Sequence, residues 1–89
     1  MNKLEHARLI IDEIDQQMAL LFKARMLAVQ DVLTYKIENH LPVLDSKRES
    51  LMMDKNVSRF NSKELEQYYV QFLKSILEIS RKYQEDHYE

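Results

Sequence analysis

Four cations, Arg8, Arg25, Lys36 and Arg48, stand out in a chain whose formal net charge is −2. Arg25 occupies a position that its own hydrophobic repeat assigns to the core. A cation withdrawn from water is costly unless an anion meets it. The placement of these side chains therefore suggests a pocket for a small, multiply charged anion.

The spacing of the cations limits which of them can share a ligand. Lys36 follows Arg25 by about three helical turns with roughly 20° of drift, so both lie on one face about 16 Å apart. Arg8 precedes Arg25 by about 25 Å along the axis and roughly 100° around it. No small metabolite can touch both arginines of one straight helix, so Arg8 serves such a site only from another chain. An antiparallel copy would bring it there.

A simpler interpretation remains open at this point. Arg8 and Lys36 could flank an apolar seam and form salt bridges across a coiled coil, with their aliphatic stems lying along the seam. Spacing alone favours this interpretation. Arg25 inside the seam is harder to explain in this way.

The pattern from Leu4 to about Glu38 predicts one continuous helix. One heptad position carries Leu4, Ile11, Met18, Arg25 and Val32, and its companion position carries Ala7, Ile14, Leu21, Ala28 and Tyr35. A helix of roughly 35 residues is about 50 Å long, which a chain of 89 residues cannot cover alone. A second copy of the chain is the natural cover.

The remainder of the chain predicts two further helices. Pro42 breaks the first helix, and residues 39–44 form an extended link. A short second helix is expected from Ser46 to about Asn56, with Ser46 as N-cap and Glu49 completing a capping box. After a connection at residues 57–61, a third helix starts at a cap on Asn61 or Ser62, and residues 85–89 are expected to fray.

Several polar residues on these helices could bind a ligand. Asp45, Arg48 and Glu49 cluster at the start of the second helix, where capping by Asp45 or Ser46 is the simpler explanation and fixing a ligand hydroxyl is the alternative. Ser80 and Gln84 continue the apolar stripe of the third helix. Taken alone, that pattern is typical of a helix end emerging into water.

Composition narrows the fold class and the chemistry. The chain has no Gly and one Pro, which favours an all-helical protein, and it has no Cys, which removes disulfides and thiolate chemistry. The three histidines have no metal-ligand spacing, and no nucleophilic triad or glycine-rich phosphate loop is present. We expect no cofactor and no nucleic-acid partner. No signal peptide or membrane-spanning stretch is evident, so a cytoplasmic protein is expected and an exported one is disfavoured.

Taken together, the motifs resemble those of the all-helical (type II) chorismate mutase family over nearly the whole chain. The matching motifs are Ala7-Arg8 with Ile11-Asp12-Glu13-Ile14-Asp15, Arg25 with Val29 and Val32, Tyr35-Lys36, Leu41-Pro42-Val43-Leu44-Asp45 with Arg48-Glu49, and Ser80 with Gln84. Each motif is weak alone, but all eight polar positions occur in order. The resemblance implies an intertwined three-helix homodimer that rearranges chorismate to prephenate without a cofactor, in aromatic amino-acid biosynthesis leading to phenylalanine and tyrosine.

The resemblance also implies a role for each residue. Arg8 of one subunit and Arg25 of the other would pair with the two carboxylates of chorismate, and Arg48 and Ser80 would complete that wall. Lys36 and Gln84 would bind the ether oxygen, and Glu49 and the Asp45 backbone would hold the ring hydroxyl. A single stand-alone domain over residues 1–89 is expected. The alternatives are an isochorismate pyruvate-lyase and a non-catalytic helical dimerisation or regulatory module.

Overall fold

The computed structural model describes all residues from 1 to 89 and contains three α-helices and no strand. Helix α1 spans Lys3–Glu38, α2 spans Ser46–Phe60 and α3 spans Lys63–His87. The Asn2 side chain caps α1 by accepting a hydrogen bond from the Glu5 backbone N–H at 2.8 Å. The predicted all-helical class and the continuous first helix are thus confirmed.

The helices form an open, elongated arrangement. Helix α3 packs against both α1 and α2, whereas α1 and α2 do not pack against each other. The chain measures 55 × 26 × 16 Å. The buried residues of α1, Val29 and Leu33, lie in its C-terminal half, so α3 covers that half and leaves the N-terminal half bare.

The predicted start of α2 at Ser46 is confirmed, but its predicted end was wrong. The helix continues beyond Asn56 to Phe60, and Asn61 ends it in the left-handed conformation with φ 55°. Phe60 stacks on Tyr69 of α3 at a centroid distance of 4.1 Å, a tertiary contact that stabilises the added turn. Of the two N-cap candidates, Asp45 and Ser46, the cap is Asp45, because its carboxylate accepts from the Arg48 backbone N–H at 3.0 Å.

The end of α3 also differs from the prediction. The helix remains regular to His87, where fraying was expected from residue 85. The Tyr88 hydroxyl donates to the Leu41 carbonyl at 2.7 Å, which ties this end to the link between α1 and α2. Ser62 is the N-cap residue of α3, without a side-chain capping bond.

Few side chains are covered by the chain itself. Only five of the 89 residues are buried, and two of these, Ser80 and Gln84, are polar. Large apolar side chains along α1, such as Leu21 and Phe22, are at least half exposed. None of the three helices has both the length and the apolarity needed to cross a membrane.

Candidate active site

A pocket of about 290 Å³ lies where the C-terminal half of α1 faces the start of α2 and the last turns of α3. Seven of the eight residues singled out from the sequence line it: Arg25, Lys36, Asp45, Arg48, Glu49, Ser80 and Gln84. They come from all three helices and from the N-cap of α2. The fold therefore gathers side chains that are up to 59 positions apart in the sequence.

A hydrogen bond to a residue of α3 holds the Arg25 side chain in place. Its Nη1 donates to Ser80 Oγ, and the Ser80 hydroxyl in turn donates to the Ile76 carbonyl at 2.9 Å. Desolvation by burial, followed by repulsion from Arg48, lowers the pKa of Arg25. The folded chain thus carries a cation whose charge is incompletely compensated, which is the electrostatic state that an incoming anion relieves.

Lys36 and Gln84 form the second fixed pair. Lys36 Nζ donates to the Val43 carbonyl at 2.6 Å and to Gln84 Oε1 at 2.9 Å. Gln84 is 6% exposed, and its Nε2 also donates to the Ser80 carbonyl at 3.2 Å. Because an ammonium group has three N–H donors, two fixed acceptors leave one donor of Lys36 for a ligand.

The start of α2 forms the acidic side of the pocket. Asp45 caps the helix, as described above, and also lines the cavity. Glu49 Oε2 lies 3.0 Å from Arg81 Nε on α3. Capping and pocket lining are therefore not alternatives for Asp45, because one carboxylate does both.

Arg8 is the one predicted site residue that the chain does not bring to the pocket. It is exposed on the bare N-terminal part of α1 and contributes nothing to the cavity wall. Its separation from Arg25 along one regular helix, which spans both residues, agrees with the geometric argument made from the sequence.

Arg81 is a pocket residue that the sequence analysis missed. It lines the cavity beside Leu77, and so do the apolar residues Ala28 and Met52. Arg81 follows Leu77 by one helical repeat of four residues, the same step that separates Leu73 from Leu77. That spacing was the available signal, because it places Arg81 on the stripe of α3 that carries the pocket residues.

The arrangement suits a small dianion. Four cations, Arg25, Lys36, Arg48 and Arg81, share the cavity with two carboxylates, which leaves an excess of two positive charges. No group of three or more acidic, histidine or cysteine side chains is placed to hold a metal ion. Fixed donors and cations of this kind bind and orient an anion and stabilise negative charge that develops on it.

The protein is thus an all-helical one with a cationic pocket built from three helices, an arrangement chemically suited to a small organic anion. The chain belongs to the type II chorismate mutase family, whose model matches residues 7–85. The resemblance found in the sequence is thus confirmed, and the family places the chain among isomerases with chorismate mutase activity. Comparison with curated proteins and with solved structures finds no match.

Proposed function

We propose that the chain converts chorismate to prephenate by a cofactor-free Claisen rearrangement, in a pocket completed by a second subunit. The observation that carries the proposal is the contact between Lys36 and Gln84. These two side chains meet at 2.9 Å inside a pocket that also contains Arg25 and Arg48. Membership of the family supports the activity, and the geometry supports the assignment of roles.

The reaction needs positioning and charge stabilisation rather than a nucleophile. In the substrate, a C–O bond breaks while a C–C bond forms, and negative charge grows on the ether oxygen. Lys36 has one donor left and Gln84 carries an amide N–H₂ group beside it, so both can donate to that oxygen. Donors fixed before the reaction need no reorganisation as the charge develops.

The remaining residues fix the reactive conformer. Arg25, oriented by Ser80, and Arg48 are placed to pair with substrate carboxylates. Glu49 and the backbone at Asp45 are placed to hold the ring hydroxyl. Holding the compact conformer lowers the barrier through orientation, because the bound substrate already has its reacting carbons in contact.

The surface of the chain supports a dimer. A folded monomer of 10.8 kDa exposes about 5,500 Å² by the usual scaling, whereas this chain exposes 7,517 Å². The excess of about 2,000 Å² per chain is of the size that obligate homodimers bury. The radius of gyration, 16.4 Å, likewise exceeds the roughly 12 Å expected for a compact domain of this length.

The uncovered apolar surface lies next to the pocket. A cleft of about 520 Å³, lined by Met18, Leu21, Phe22, Phe72, Ile76 and Ile79 among others, reaches the pocket at Arg25. An antiparallel second copy that covered this cleft with its own α1 would bring the N-terminal half of that helix over the pocket. Arg8 of the second copy would then reach the substrate carboxylate that faces outward.

Product identification tests the activity. We expect the purified chain to convert chorismate to prephenate and to leave isochorismate unchanged, as judged by chromatography and mass spectrometry. Lys36→Ala should lose at least about 10²-fold in kcat/KM. Lys23→Ala, at an exposed lysine of the same helix outside the pocket, is the matched control and should retain wild-type rates.

Two other outcomes would identify other functions. Release of pyruvate from isochorismate would identify the chain as a lyase of the same fold. Turnover of neither compound by a folded dimer would favour a non-catalytic dimerisation or regulatory module.

A further inference from the structure

The pocket contains two carboxylates that could compete with an anionic substrate for its cations. Asp45 and Glu49 line the same cavity as Arg25, Lys36 and Arg48. A carboxylate that swung onto one of these cations would neutralise it in the empty pocket, and a substrate carboxylate would then have to displace it. An internal ion pair of this kind competes directly with an anionic ligand.

The structure avoids this competition at both acids. The ion pairs of the chain are Arg81 with Glu49 and Lys82 with Asp86, and neither uses Arg25, Lys36 or Arg48. The Asp45 carboxylate accepts a hydrogen bond from the backbone N–H of Arg48 at the helix cap, which keeps it in place. Glu49 has no such backbone partner and is held by Arg81 alone.

The contact between Arg81 and Glu49 is partly shielded from water. The side chains are 34% and 24% exposed, and Nε of Arg81 is buried. Nε lies 3.0 Å from Glu49 Oε2 without a well-directed hydrogen bond, so the attraction is mainly between the two charges. Arg81 belongs to α3 and Glu49 to α2, so the contact joins these two helices at the pocket wall.

We propose that Arg81 is a positioning residue that holds Glu49 away from Arg25, Lys36 and Arg48, the other three cations of the pocket. The proposal rests on the proposed function, in which Arg25 and Arg48 bind substrate carboxylates. With Arg81 in place, Glu49 is kept at the α3 side of the cavity, where it can accept the ring hydroxyl. Without Arg81, Glu49 is free to pair with Arg48, its neighbour in the sequence, or with Arg25.

Steady-state kinetics with chorismate test this role. Arg81→Met keeps the volume of the side-chain stem and removes the charge. We expect KM to rise about fivefold, the size of one partly exposed ion pair, with kcat changed less than twofold. Adding Glu49→Gln to this variant removes the competing carboxylate and keeps an acceptor for the hydroxyl, so KM should return to within twofold of the Glu49→Gln single variant.

Lys82→Ala provides the matched control. It removes one cation and one ion pair from the next position of the same helix, outside the pocket, and should leave KM unchanged. Arg81→Lys, which retains the charge, should keep KM close to the wild-type value. If thermal melting shows that Arg81→Met does not fold, Arg81→Gln takes its place in the same comparison.

The outcomes separate this proposal from its alternatives. An unchanged KM in the Arg81 variant overturns it. A raised KM that Glu49→Gln does not reverse also overturns it, because an arginine that bound the substrate directly would lose affinity whatever stood at position 49. Wild-type turnover of chorismate in the same assay decides the proposed function separately.

Discussion

Replacing Gln84 with glutamate should make a pH-independent reaction pH-dependent. Gln84 donates an amide N–H that has no titration near neutrality, and its Oε1 accepts from Lys36 at 2.9 Å. A glutamate of nearly the same shape can donate to the ether oxygen only when it is protonated. The ionised glutamate has no proton to donate. It also binds the Lys36 ammonium group more tightly and so draws Lys36 away from the substrate.

The size of the effect follows from the loss of one fixed donor. Such a loss typically costs about 10²–10³ in rate, and this is the expected maximal deficit of Gln84→Glu at high pH. Above the pKa of the new carboxyl, kcat/KM should fall about tenfold per pH unit until that deficit is reached. Burial at a site that is 6% exposed raises the pKa of the new carboxyl, and the Lys36 cation lowers it. These two effects change the midpoint of the pH–rate profile but not its slope.

The assay is the disappearance of chorismate between pH 5 and pH 8 at fixed ionic strength. We expect the wild-type rate not to fall as pH rises over this range, whereas Gln84→Glu loses activity. Gln71→Glu, on the exposed side of the same helix, is the control and should follow the wild type. A flat profile for Gln84→Glu, or a steep alkaline loss in the wild type, would refute the role given to Gln84.

Three further predictions concern Arg25, its support and the dimer. Arg25→Met should lower kcat/KM by at least about 10²-fold. The thermal midpoint of unfolding should stay level or rise, because the variant no longer desolvates a cation on folding, and a large fall in that midpoint would contradict this. Ser80→Ala removes the acceptor of Arg25 and should raise KM by at least about tenfold, the value of one hydrogen bond from a charged donor. An unchanged KM would mean that Arg25 is oriented by other contacts. The thermal midpoint should rise with protein concentration, because the exposed apolar cleft is covered only on association. A midpoint that is independent of concentration over a hundredfold range would argue against a dimer whose dissociation is coupled to unfolding.

The helical pattern of the sequence was sufficient to predict the class and the long first helix, because its hydrophobic repeat runs from Leu4 onward and is interrupted only at Arg25. The end of α2 was mispredicted for a physical reason. Ser58 and Asn61 are poor helix formers, but the stacking of Phe60 on Tyr69 extends the helix through a contact with a distant residue. Local propensity carries no information about such a contact.

The candidate site was predictable to a similar degree. The hydrophobic repeat singled out Arg25, helical spacing placed Lys36 on the same face, and the resemblance gave roles to Asp45, Ser80 and Gln84. Arg81 was not identified, although its spacing from Leu77 was available, because only the approach of α2 gives this half-buried arginine an acidic partner. Sequence spacing did establish that Arg8 cannot join the pocket of its own chain.

The sharing of the pocket between two subunits is the central claim, and complementation tests it most directly. Arg8→Ala and Arg25→Ala should each be nearly inactive as homodimers. If the two are unfolded together and refolded at equal amounts, half of the dimers are mixed, and each mixed dimer has one site with both arginines. The account predicts recovery of about a quarter of the wild-type activity, assuming random pairing and independent sites. No recovery, with mixed dimers demonstrated by mass spectrometry, would contradict it.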